Sequence, residues 1–148
     1  MSAAVRALAF ALCAIVLSPA GAAEFRSVGA AAAVLYDAPS HSARKLFIAP
    51  RGMPVEVLTT VGGWVKVRDA QGDAVWIERA HLSATRTVVA RTGGAAVRAL
   101  PQEGADLVLQ AERGVLLELV EPPARGWARV RHQDGNVGYV RAAEVWGL

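Results

Sequence analysis

Two five-residue stretches carry side chains suited to binding. In Trp64-Val65-Lys66-Val67-Arg68 and Trp127-Ala128-Arg129-Val130-Arg131, an aromatic ring and two cations fall on alternate positions. Alternate residues of an extended chain share one face. An indole on such a face can stack on the apolar side of a sugar or on a proline ring. Lysine and arginine beside it can meet carboxylates or phosphates. Val65 and Val67, like Ala128 and Val130, belong to the opposite, inward face. A plainer structural reading stands beside this one: each tryptophan caps its unit or fills an interface, with Lys and Arg stems lying over it. Trp76 and Tyr139 read as core or rim, and Trp146 as a staple of the last strand.

Nothing comparable points to catalysis. His41, His81 and His132 stand far apart, without the close spacing of a metal pair. Cys13 is the only cysteine, and it lies within an N-terminal apolar run. No Gly-x-Ser-x-Gly elbow or phosphate-binding glycine loop occurs. Asp69 and Asp73 flank one turn, where a matching turn has His132 and Asn136, so turn chemistry accounts for all four. The expectation is a protein that is not an enzyme and uses no cofactor or metal.

Residues 1–23 read as a signal peptide. Arg6 precedes the unbroken apolar run Ala7–Leu17, and Pro19-Ala20-Gly21-Ala22-Ala23 supplies small residues for cleavage after Ala22 or Ala23. The run is short for a membrane-spanning helix. Cys13 falls in mid-run, too early for lipidation. Export then leaves a chain without thiols that must be stabilised by packing, with membrane contact only through the leader. The formal charge is +3; without Arg6 it becomes +2, from 15 Lys and Arg against 13 Asp and Glu. That mild excess lacks the basic runs of a nucleic-acid binder.

The elements that must position the aromatic–cation faces occur twice. Gly63-Trp64-Val65-Lys66-Val67-Arg68…Gly72…Trp76-Ile77 returns, shifted by 63 residues, as Gly126-Trp127-Ala128-Arg129-Val130-Arg131…Gly135…Tyr139-Val140. Upstream, Arg51-Gly52-Met53-Pro54-Val55-Glu56-Val57-Leu58 returns at Arg113–Val120, shifted by 62. Such self-similarity implies two small units, and a duplicated module more often binds than catalyses. Period-two alternation predicts strands at Val55–Val57 and Trp64–Arg68, with Pro54 at a strand's first residue. Asp69–Asp73 and His132–Asn136 are hairpin loops with glycine in place. Leu116–Val120 reads as a strand broken at Glu121–Gly126. Glu78–Leu82 suits a single 3₁₀ turn. About five short strands per unit point to a small closed barrel, a form that removes exposed sheet edges. Units of this size are marginal alone. The short join Ser83–Val89 therefore predicts that they pack together. The expected division is 24–84 and 85–148.

The ordered set Val34-Leu35-Tyr36-Asp37, Arg51–Leu58, Gly63–Val67, Gly72…Trp76-Ile77…Leu82 resembles the bacterial SH3-like domain. Its second occurrence runs Ala96-Val97-Arg98-Ala99, Arg113–Leu119, Gly126–Val130, Gly135…Tyr139-Val140…Val145. The resemblance implies an all-β protein of two tandem SH3-like barrels with a binding role, often in cell-wall recognition. In eukaryotic SH3 domains a motif like Leu35-Tyr36-Asp37 contributes a tyrosine to a proline-binding groove, and Trp64 matches the groove tryptophan. Here Ala38-Pro39 replaces the second aromatic. The Pro-plus-Tyr signature is absent at Glu78–Leu82, and the second copy is read with Ala99 where Tyr36 stands. Proline recognition is thereby disfavoured, and a ligand pocket is expected in the first unit only.

The expected function is an exported, periplasmic binding or scaffold protein. Peptidoglycan or another envelope polymer is the expected ligand, held by Tyr36, Trp64, Lys66 and Arg68 with help from Trp127 and Arg129. The alternatives are an adaptor for an envelope protein, or a purely structural pair of barrels with Trp64 buried between them.

Overall fold

The computed structural model describes residues 21–29, 31–91 and 93–148. The signal segment, up to residue 20, lies outside them. Alternating sequences form two seven-stranded antiparallel sheets, each rolled around its own core. The first contains β1 (Glu24–Val28), β2 (Ala32–Tyr36), β3 (Lys45–Pro50), β4 (Pro54–Val61), β5 (Trp64–Arg68), β6 (Ala74–Glu78) and β7 (Leu82–Ser83). The second contains β8 (Thr87–Ala90), β9 (Ala95–Arg98), β10 (Leu107–Ala111), β11 (Leu116–Ala124), β12 (Trp127–Arg131), β13 (Val137–Arg141) and β14 (Val145–Trp146). Their hydrogen-bonded orders are the same: β3-β2-β6-β5-β4-β1-β7 and β10-β9-β13-β12-β11-β8-β14.

The barrels have seven strands where about five were expected, and each ladder ends at a free strand, β3 or β10. The additional members are β1 and β8 and the two-residue strands β7 and β14 that pair with them. Strands of two residues are too short to show an alternation. A second difference lies in β11, which continues through Pro122 and Pro123 to Ala124. Its register shifts between Leu119 and Glu121 and again before Ala124. Such bulges, with residues 121–124 all exposed, tolerate prolines that lack a ladder donor. The 3₁₀ turn forms at Arg79–His81 and has its counterpart at Ala142–Glu144.

Each core is the inward face of these strands. Val65, Val67, Val75 and Ile77 meet Leu35, Val55 and Val28 in the first barrel. Ala128, Val130 and Val140 meet Val97, Leu117 and Val88 in the second. The hairpin between β5 and β6 closes on Asp69, a buried carboxylate whose Oδ1 accepts the amides of Gln71 (3.0 Å) and Asp73 (2.9 Å). Gly72, at φ +97°, supplies the left-handed turn residue.

The barrels pack against each other. Thr87 donates its hydroxyl to the Gly52 carbonyl (2.7 Å) and Ser27 donates its own to Thr85 (2.7 Å). Phe25 of the first barrel meets Trp146 of the second edge to face, with ring centroids 5.1 Å apart. Arg86, in the join, lies over Phe25 and donates to the Gly147 carbonyl (2.9 Å). Trp146 thus fastens the barrels together as well as pairing with Val89 in its own sheet.

Candidate functional site

The outer face of the first barrel gathers aromatic side chains from three segments. Trp64 opens β5, and its parity with the buried Val65 and Val67 turns it outward, half-buried. Tyr36 ends β2, where a register irregularity between Leu35 and Tyr36 breaks the alternation. Leu35 therefore enters the core while Tyr36, 5% exposed, lies under the outer-face aromatics. The two rings meet edge to face at 5.2 Å. His41, from the β2–β3 loop, stands over both, 5.0 Å from Trp64 and 6.4 Å from Tyr36. Its Nε2 is 3.1 Å from the Glu78 carboxylate, and Glu78 is the cross-strand partner of Trp64. Trp76 pairs with both Tyr36 and Lys66 across the sheet, and the Lys66 ammonium lies 6.0 Å from its ring.

Tyr36, Trp64 and Lys66 thus share one neighbourhood. Arg68 shares the face by parity, but its guanidinium is held by Glu56 at 2.9 Å, at the far end of β5. Trp127 and Arg129 occupy the equivalent place on the second barrel instead of joining the first cluster. His41 and Glu78 had no sequence signal as site members. The loop that brings His41 over Trp64 has no periodicity to read, and Glu78 sits at a strand end. Trp64 packs on Tyr36 and His41, away from the contacts observed at the junction between barrels.

The second barrel repeats the positions with different chemistry. Arg98 pairs with Tyr139 as Tyr36 pairs with Trp76, so Arg98, rather than Ala99, stands in the place of Tyr36. The cause is a one-residue slip: the repeat is offset by 62 as far as Leu58 and Val120, and by 63 from Gly63 and Gly126 onward. Glu103 and Arg141 replace His41 and Glu78 and form an ion pair of reversed polarity. Arg141 covers Trp127 at 5.4 Å. Arg129, the counterpart of Lys66, is engaged by Glu121 at 2.5 Å, a hydrogen bond that raises its pKa further. Among the described residues, Lys66 has no carboxylate within salt-bridge distance.

The clefts lie elsewhere. The largest of three clefts, about 670 Å³, runs between the barrels past Arg51, Glu118, Arg131 and His132. Trp64 lines none of these three clefts, and a half-buried ring on a surface suits extended ligands that stack, whereas enclosed pockets suit small molecules. Among the described residues, no group of three His, Cys, Asp or Glu side chains gathers as metal ligands.

Fold and face together define a duplicated small β-barrel of the SH3-like class. Residues 29–84 and 92–147 each match the model of the bacterial SH3 domain, and the chain belongs to that family. No curated protein is significantly similar to it. Among solved structures it is similar to NlpC2 and NlpC1 from Trichomonas vaginalis. Each is 16% identical, with TM-scores of 0.38 and 0.39, covering 83% and 87% of this chain and 47% of either relative. It is also similar to an NlpC/P60 family protein from Bacillus cereus: 17% identity, TM-score 0.38, 82% of this chain and 55% of the other. The chain spans about half the length of these proteins. At these scores the likeness transfers no activity.

Proposed function

We propose that the chain is an exported, periplasmic, non-catalytic binding protein that recognises peptidoglycan or another envelope polymer through the first barrel. The observation that carries this reading is the outward pair of Trp64 and His41, set over the buried Tyr36, beside Lys66, which has no carboxylate partner among the described residues. Aromatic rings suit the apolar faces of sugars, and a free ammonium suits the carboxylates of an anionic polymer. The second barrel supports the assignment by contrast: its tryptophan is covered by Arg141 and its matching cation is engaged by Glu121.

The test is co-sedimentation of the protein with purified insoluble peptidoglycan at low and moderate salt. Trp64→Ala abolishes binding and Lys66→Glu weakens it most at low salt, while both variants keep a cooperative thermal transition. Binding that persists in folded Trp64→Ala, or is lost equally in Trp127→Ala, contradicts the assignment to the first barrel.

A second reading, an adaptor for an envelope protein, is favoured by β3. This end strand exposes Leu46, Phe47 and Ile48 in succession, Ile48 to 66%. The matching position of β10 is Gln110, a residue at home in water. An apolar end strand is a template for pairing with another chain. A protein captured by crosslinking, lost in Ile48→Gln, together with no affinity for purified wall, selects this reading over the first.

A further inference from the structure

Trp146 fastens the barrels, yet one side of it also borders a cleft that the Trp64 face does not use. We propose that this cleft is a second binding site, for a saccharide carrying carboxylates. Its volume is about 360 Å³, and it is lined from the first barrel by Ala70 and Gln71 and from the second by Arg91, Arg113, Gly114 and Trp146. Neither barrel forms it alone.

The lining has what an anionic sugar requires. The Trp146 ring offers an apolar face, the Gln71 amide offers a donor and an acceptor for hydroxyls, and two guanidiniums offer forked donors for carboxylate. Arg91 is oriented: its Nε donates to the Val145 carbonyl at 2.9 Å, and its backbone N–H donates to the Glu144 carbonyl at 2.9 Å. Among the described residues, no carboxylate lies within salt-bridge distance of Arg91 or Arg113, and none lines the cleft. This separates it from the larger cleft, where Glu118 lies 3.5 Å from Arg131 and offsets its charge. The Gln71 backbone is set by the Asp69 turn, whose Oδ1 accepts its main-chain N–H, while its side-chain amide is exposed. The site therefore combines an aromatic wall, an uncompensated pair of cations and an exposed side-chain amide carried on a fixed turn, at a volume near the lower bound for small-ligand pockets.

The site is independent of the Trp64 face, and its test uses a different signal. Isotope-labelled protein is titrated with trigalacturonate, with neutral maltotriose and with inorganic phosphate, following the Trp146 indole N–H and the Gln71 and Gly114 amides by NMR. Trigalacturonate shifts these signals saturably, and maltotriose does not. Arg113→Glu weakens the response about tenfold, the effect of some 1.4 kcal/mol, and Arg113→Lys recovers part of it. Arg113 is exposed, so both variants keep the dispersed spectrum of the folded protein. Trp64→Ala leaves the titration unchanged, which separates this site from the wall-binding reading. The proposal is overturned by no shift at Trp146, by an equal response to maltotriose, by an undiminished response in Arg113→Glu, or by phosphate alone reproducing every shift.

Discussion

Asp69 is a single side chain on which the β5–β6 hairpin, and with it one wall of the junction cleft, depends. Its carboxylate is 4% exposed and accepts two backbone amides, from Gln71 at 3.0 Å and Asp73 at 2.9 Å. The backbone bonds Asp69 to Asp73 and Gly72 to Asp69 close the same turn. Replacement by alanine removes both side-chain bonds. A hydrogen bond to a charged acceptor contributes about 1.5–3 kcal/mol, but the amides of exposed Gln71 and Asp73 can turn to water, so the two together should cost about 2 kcal/mol rather than twice the single value. In a protein of this size that corresponds to a fall in Tm of roughly 8 °C. Asp69→Asn keeps an oxygen at Oδ1 and loses only the charge, so it should cost about 1 kcal/mol or less. Urea titrations followed by far-ultraviolet circular dichroism measure both. An alanine variant within about 0.5 kcal/mol of the parent would refute the account, because it would mean that the backbone closes the turn unaided. An asparagine variant as costly as alanine would show that charge, not acceptor geometry, is what matters.

Two further outcomes follow from the junction and the second hairpin. Gly147→Ala would place a Cβ 2.8 Å from the Thr87 carbonyl oxygen and 3.1 Å from Pro54 Cβ, at a φ of +112°. Since Pro54 belongs to the first barrel, the substitution should press the barrels apart and cost at least about 2 kcal/mol, read as a lowered urea midpoint. An unchanged midpoint would mean that the junction yields freely. The Asp134 carboxylate is held below the ordinary aspartate range, chiefly by the Asn136 amide, with smaller help from the His132 side chain. A lowered folded-state pKa stabilises above the unfolded value, and that contribution is lost as pH falls through the folded one. Asp134→Asn should therefore flatten the acid limb of the stability profile and leave neutral pH less stable; a parallel profile would contradict this.

Val65, Val67, Ala128 and Val130 announce both cores because a half-buried strand writes its period directly, and glycines at turn positions fix the hairpins. The same parity places Trp64 and Lys66 outward. Bulges were not legible: the Leu35–Tyr36 irregularity leaves consecutive residues buried, and those in β11 carry the strand through two prolines. Nor were β7 and β14, whose two residues hold no period. His41 was read as an isolated loop histidine because the β2–β3 loop is shaped by Asp37, which binds the Arg44 amide at 3.0 Å, and by turn bonds at Ser40. Loop paths of this kind depend on geometry that neither composition nor spacing encodes. The offset of 63 belongs only downstream of the stretch from Leu58 to Gly63, which is one residue longer in the second barrel, so Tyr36 corresponds to Arg98 at an offset of 62 and not to Ala99.

The contrast between the copies bears on which of them binds. Duplication leaves two identical faces, and packing then constrains only the inward residues of each. Inward positions have stayed apolar: Val65 and Ala128, Val67 and Val130, Ile77 and Val140. The Arg68–Glu56 pair also persists, as Arg131–Glu118, at the strand end away from the tryptophan. The outer positions have diverged together. Where the first barrel has Tyr36, His41, Glu78 and Lys66, the second has Arg98, Glu103, Arg141 and Arg129, the last facing Glu121. Each of these second-barrel charges except that of Arg98 has a partner of opposite sign within its own barrel, while Arg98 donates to the Ala105 carbonyl at 2.9 Å. Exposed ion pairs add little stability, so folding alone gives no strong reason for the whole set to change. A face whose charges satisfy one another has less to offer an anionic ligand than one with edge-to-face rings and a lysine that no described carboxylate engages. That difference supports the proposed placement of polymer recognition on the first barrel rather than the second. It leaves the second barrel to build the junction, where Trp146, Arg91 and Arg113 meet the first barrel's hairpin.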